Sequence, residues 1–158
     1  MPSAAENKLY SIKNDDIEAV VAQYGATLVS LKFKGKEMTL NRDPGSEDFK
    51  NHDLNPHYGA TCGRVGGRIA DAKFTLENGS SHTLAANNGA NALHGGIEGY
   101  SRTYWTSSTI HTDFEVKDKD GNMVNTSGVS FLITEADGHE GYPGTCHTTS
   151  YFLLSKDN

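Results

Sequence analysis

Apolar residues recur along this chain with a period of two, the spacing that sends alternate side chains to opposite faces of a sheet. Thr27, Val29, Leu31 and Phe33 fall on one face of such a stretch, with Ser30, Lys32 and Lys34 on the other. That pattern predicts a half-buried strand. Phe74 and Leu76 alternate with Lys73, Thr75 and Glu77; Phe114 and Val116 alternate with Asp113, Glu115 and Lys117; and Val129, Phe131 and Ile133 repeat the spacing. Residues 145–154 read as one long strand rich in Thr and aromatics. Helical spacing is weak throughout.

Hairpin chemistry separates these runs. Asn78-Gly79 and Asp120-Gly121 supply the positive φ angles that tight hairpins need, and Lys34-Gly35-Lys36 sits between two apolar stretches in the same way. Strands that pair with their sequence neighbours make antiparallel sheets, so the predicted class is all-β, an antiparallel β-sandwich. One stretch departs from the pattern. Residues 41–65 are polar and turn-rich over a length that suggests a function.

Composition narrows the picture. A chain of 158 residues can bury about two-thirds of its unfolded surface, and without a linker or internal repeat it reads as one domain. Its 14 Lys+Arg against 20 Asp+Glu give a formal charge of −6, and no basic cluster offers a footprint for nucleic acid or an anionic membrane. No apolar run approaches the ~18 residues that cross a bilayer, and the first residues lack the apolar centre of a signal peptide; the expected compartment is the cytoplasm. Cys62 and Cys146 stand far apart, as expected for two reduced thiols. Asn78-Gly79-Ser80 and Asn125-Thr126-Ser127 match glycosylation acceptors but are better explained as turns.

Candidate chemistry concentrates in three glycine-rich segments: Gly63-Arg64-Val65-Gly66-Gly67-Arg68-Ile69-Ala70, Asn87-Asn88-Gly89-Ala90-Asn91-Ala92-Leu93-His94-Gly95-Gly96, and Asp137-Gly138-His139-Glu140-Gly141-Tyr142-Pro143-Gly144. Two glycines after His94 let the backbone approach a ligand and leave the imidazole accessible; on pattern alone a plain turn accounts for the triplet better than a site does. Arg64 and Arg68 lie four residues apart on what reads as a strand, so both guanidinium groups are expected on one face, with Arg64 in a surface ion pair and Arg68 partly buried. The 7 His include His52, His57, His94, His111, His139 and His147, none at metal-ligand spacing. Neither a metal nor a cofactor is implied, and no phosphate loop or nucleophile elbow is present.

These segments resemble the aldose 1-epimerase family. Tyr24-Gly25-Ala26-Thr27-Leu28-Val29-Ser30-Leu31 is similar to the family's opening strand, residues 63–70 to its Gly-Arg…Asn-Arg-Ile-Ala segment, and Leu93-His94-Gly95-Gly96 with Gly99-Tyr100 and Trp105 to its most specific signature. Residues 137–144 complete the order. The resemblance implies a galactose mutarotase-like β-sandwich, present in part: residues 1–158 would be the N-terminal portion of such a domain, with no second domain. It also implies interconversion of the α and β anomers of a free aldohexose such as galactose or glucose. Arg68 and His94 carry over as sugar-binding residues, His94 also as an auxiliary catalytic group.

Three departures shape the expectation. Gly67 stands where the family has Asn. The family's principal acid, in a His-x-Tyr-Phe-Asn segment, and its Glu base fall later than Asn158, while His147 comes too early and Asp137 and Glu140 read as turn residues. The chain is therefore expected to be either a truncated enzyme, weak or inactive alone, or a non-catalytic carbohydrate-binding module that closes its exposed sheet edges by self-association or with a partner chain. The hexose-6-phosphate mutarotase group fits less well, because no basic cluster awaits a phosphate.

Overall fold

A computed structural model of the chain describes residues 7–40, 42–51 and 53–155; His52 lies outside them. The strands fall into antiparallel sheets, as the period of two predicts. Strands β1 (Leu9–Lys13), β2 (Ile17–Ala22), β3 (Thr27–Phe33) and β4 (Lys36–Glu37) form one sheet in sequence order. Asn14 Oδ1 accepts from the N–H groups of Asp16 and Ile17 in the first turn, and Lys34 and Gly35, at φ 49° and 79°, make the last one.

A one-turn helix, α1 (Glu47–Lys50), precedes two short pairs. In these, β5 (Arg68–Ile69) meets β8 (Ala92–Leu93), and β6 (Lys73–Thr75) meets β7 (Ser81–Thr83). The remaining sheet has the order β11-β10-β9, built from β9 (Ser107–Lys117), β10 (Met123–Glu135) and β11 (Cys146–Ser155). Its first hairpin is closed by Asp118, whose Oδ1 accepts from the N–H groups of Asp120 and Asn122. Strand β11 starts one residue later than its composition suggested. Leu76 falls outside β6 and is 41% exposed, because the Asn78-Gly79 turn has already begun.

The two large sheets face one another across Val21 and Ala26 on one side and Val129, Phe131 and Ile133 on the other, with Trp105 and Tyr100 between them. Trp105, Val21, Val129 and Phe131 are fully buried. Burial of side chains this size stabilises by about 1.5–3 kcal/mol each. The polarity of β3 differs from its alternation. Leu28, opposite Val21, joins this core, whereas Val29 packs with Ala22 under Phe49 of α1. The sheet is thus covered on both faces there, which a two-colour pattern cannot anticipate. The end of the polar, turn-rich stretch is tied to the same sheet: Leu28 N–H donates to Gly59 O at 2.9 Å, and Thr61 N–H to Gly25 O at 2.9 Å. Among the described residues no helix is long and apolar enough to cross a membrane.

Candidate functional site

The three glycine-rich segments converge, and backbone contact is what allows it. A Cβ at Gly95 would lie 1.6 Å from Gly63 O, and one at Gly63 would lie 2.1 Å from the Tyr100 ring. Only glycine fits at either position. Tyr100 closes the far side: its hydroxyl is 2.7 Å from Thr148 Oγ1, and burial pushes its pKa up to about 12.

Arg64 fastens the first segment to the third. Its Nε donates to Glu135 Oε2 at 3.1 Å, and Nη1 donates to the carbonyls of Pro143 and Gly144 at 3.1 and 2.8 Å. The guanidinium also lies over the Tyr142 ring, 5.6 Å from its centroid. With side chains 13% and 6% exposed, Arg64 and Glu135 form a buried ion pair. This reverses the expectation for the two arginines: Arg64 is the buried one, and Arg68 is exposed. Nor do they share a strand face. Strand β5 begins only at Arg68, because Gly67, at φ 91°, turns the chain first.

Arg68 and His94 are neighbours through their backbones. The β5–β8 register sets Arg68 opposite Leu93, and His94 N–H donates to Gly67 O at 3.0 Å. Their side chains are held separately, with no hydrogen bond between them. Arg68 Nε donates to Asn88 Oδ1 at 2.8 Å. His94 Nδ1 accepts from Gly67 N–H at 3.0 Å. Since Nδ1 is an acceptor, the hydrogen of the neutral ring sits on Nε2, where it can be donated. His94 takes φ 51°, a left-handed backbone that a non-glycine residue seldom adopts.

Sequence reasoning passed over the residues that brace this arrangement. Asn87 donates to the carbonyls of Leu93 and Gly96 and accepts from Leu93 N–H, so it shapes the loop that carries His94. The Asn-rich run 87–91 was the signal available. Asp137 acts within the turn, as its pattern suggested, its Oδ1 accepting from Gly144 N–H; Glu140 lies in the same turn, but its carboxylate reaches out of it and accepts from Ile97 and Glu98 N–H at 3.1 and 2.7 Å. His57, on the polar stretch, lies edge-on to His94 with ring centroids 4.8 Å apart. Near it burial pushes the Cys62 thiol up, against Arg102 and a Ser101 hydrogen bond. Cys62 and Cys146 are not joined. Among the described residues no group of three side chains could hold a metal ion.

What this geometry offers is a pair of fixed donors, a guanidinium and an imidazole N–H, on a loop scaffold close enough for backbone to meet a ligand. The family model described as aldose 1-epimerase matches residues 8–158. The galactose mutarotase of Sus scrofa is 31% identical over 150 residues, which cover 91% of this chain and 38% of that protein. The galactose mutarotase of Bos taurus is 31% identical over 137 residues, 85% of this chain and 35% of its own length. The crystal structure of galactose 1-epimerase from Lactobacillus acidophilus NCFM superposes with a TM-score of 0.80 at 26% identity, covering 100% of this chain and 43% of that one. The chain thus spans well under half the length of the proteins it matches.

Proposed function

The chain belongs to the aldose 1-epimerase family, and on that premise we propose that it carries the hydroxyl-gripping part of a site for a free aldohexose such as galactose or glucose. The observation that carries this reading is the Gly67 N–H bond to His94 Nδ1, which turns Nε2–H into a donor beside the segment of Arg68. Arg68 spends Nε on Asn88, and its terminal amino groups serve sugar hydroxyls by charge-assisted hydrogen bonds. His94 Nε2–H serves a hydroxyl or the ring oxygen and steadies charge there as the ring opens.

Anomer interconversion needs two proton carriers. A base takes the anomeric hydroxyl proton while the bond from the anomeric carbon to the ring oxygen breaks and that oxygen gains a proton. The aldehyde then rotates and closes by the reverse path. The 158 residues contain no His-x-Tyr-Phe-Asn segment, so in this reading the principal acid and base are not among them, and His94 is auxiliary. Two unjoined thiols accord with a reducing compartment, the cytoplasm.

Polarimetry of freshly dissolved α-galactose is expected to show no acceleration over buffer. Titration followed by NMR is expected to show galactose binding that Arg68→Ala and His94→Ala each weaken about tenfold. Binding unchanged in both variants overturns the site. A large rate increase lost in His94→Ala overturns the auxiliary assignment. A non-catalytic, partner-assembled carbohydrate module is the second reading. It is favoured by the long strand β11, which lies at a sheet edge with Tyr151 51% exposed; sedimentation of the chain alone tests it.

A further inference from the structure

We infer that His57 is a positioning residue, which fixes the ring of His94 and thereby keeps its Nε2–H aimed outward. The inference deepens the sugar reading of His94 but rests on a different part of the chain.

His57 belongs to the polar stretch before the first glycine-rich segment, and its imidazole is oriented by hydrogen bonds. Arg102 Nη2 lies 3.4 Å from His57 Nε2, and a guanidinium can only donate, so Nε2 is the acceptor. The ring hydrogen is therefore on Nδ1, which lies 2.8 Å from Ser101 Oγ and donates to it. Ser101 is itself buried, 6% exposed, and it follows Tyr100, whose ring backs Gly63. A firmly held ring thus meets His94 at 4.8 Å between centroids and 68° between planes, an edge-on contact favoured between aromatic rings.

The geometry on His94 makes this contact consequential. Gly67 N–H holds only one atom of the imidazole, Nδ1. Turning the imidazole about its Cβ–Cγ bond breaks that hydrogen bond, and the His57 ring packed against it opposes such a turn. Both histidines have left-handed backbones, φ 66° at His57 and φ 51° at His94. Conformations of this kind persist where surrounding contacts over-determine them. Ser101 and Arg102 lie on one 3-10 turn, Tyr100–Arg102, and His57 comes from the polar stretch before β5, so the orientation of His94 is supported from outside its own segment.

The test is ¹⁵N NMR of the uniformly ¹⁵N-labelled full chain without sugar. His94 in the wild type is expected to show a single tautomer with hydrogen on Nε2, together with a Gly67 amide shifted by its hydrogen bond. His57→Ala is expected to give averaged His94 nitrogens, a Gly67 amide moved toward its unbonded position, and galactose binding about fivefold weaker. Ser101→Ala removes the acceptor that orients His57, together with the Ser101 bond to Cys62; it is expected to shift His94 in the same direction by less, and it carries the test if His57→Ala does not fold. An unchanged His94 spectrum and Gly67 amide in a folded variant overturn the inference. Because the spectrum is read without sugar, absence of galactose binding in the wild type strikes the proposed function alone.

Discussion

The sheet pair and the loop cluster beside it are held by different forces. Between the sheets, Val21, Val129 and Phe131 are buried on regular strands whose backbone bonds are satisfied by their neighbours, and Trp105, just before β9, is buried among them. In the cluster, a small apolar core of Ala92, Tyr142 and Ile69 is joined by long-range polar ties, Arg64 to Glu135, Pro143 and Gly144 and Glu140 to the Ile97 and Glu98 amides, and by the local bonds of Asn87 to Leu93 and Gly96. Apolar burial is tolerant of which atoms meet, so it builds a frame. Hydrogen bonds specify atoms and directions, so they place donors for chemistry.

Variants can break that contrast. Phe131→Ala empties the space between the sheets and is expected to cost about 3–5 kcal/mol, lowering protection from hydrogen exchange in both regions together. Arg64→Ala takes the guanidinium from the buried Glu135 carboxylate, leaving it beside His139 Nδ1, 3.1 Å from Oε1, and is expected to cost about 3 kcal/mol by denaturant titration. Adding Glu135→Leu to that variant is expected to recover part of the loss; a further loss of equal size would show that the ion pair does not govern the cluster. Glu140→Ala leaves two amides without their carboxylate and is expected to cost about 2 kcal/mol. Fast exchange at Ile97 and Glu98 with the β10 amides still protected sharpens the contrast; a uniform loss of protection breaks it.

The smallest effect concerns a polar tie placed on the sheet. Glu37 accepts from the Ser30 and Thr39 hydroxyls and from the amides of Leu31 and Thr39, which lower its pKa from 4.5 to about 2. The unfolded chain takes up this proton more readily than the folded one. Its contribution is therefore complete above pH 4.5 and fades as pH falls through about 2. The melting temperature of the wild type is expected to decline more steeply than that of Glu37→Gln across that window.

Legibility followed the same division. The period of two found residues 113–117 of β9 and 129–133 of β10, Thr and aromatic content found most of β11, and the dipeptides Lys34-Gly35, Asn78-Gly79 and Asp120-Gly121 marked the turns, because strand alternation and hairpin geometry are local properties. The split between Leu28 and Val29 was hidden, since it depends on Phe49 folding over the second face. Arg64 and Arg68 were misplaced for a related reason: which of two arginines is buried depends on Glu135, 71 residues away. Motif order pointed to Arg68 and His94. The supports from Asn87 and Asn88 show only as an Asn-rich run, and that from His57 has no local signature, because each works through an atom elsewhere in the chain.

The span of the Arg64 contacts also orders events in time. Its bonds to Pro143 and Gly144 join residues 79 and 80 apart, whereas β9 and β10 are joined by a five-residue turn within one hairpin. Loop closure over such separations follows local pairing. On a ribosome the His94 loop is translated well before the turn that braces it, so it waits unbraced until Gly144 has emerged. Pulse-labelled hydrogen exchange during refolding should find amides of the β9–β10 hairpin protected before those of Ile97 and Glu98; the reverse order would place the birth of the site ahead of its frame.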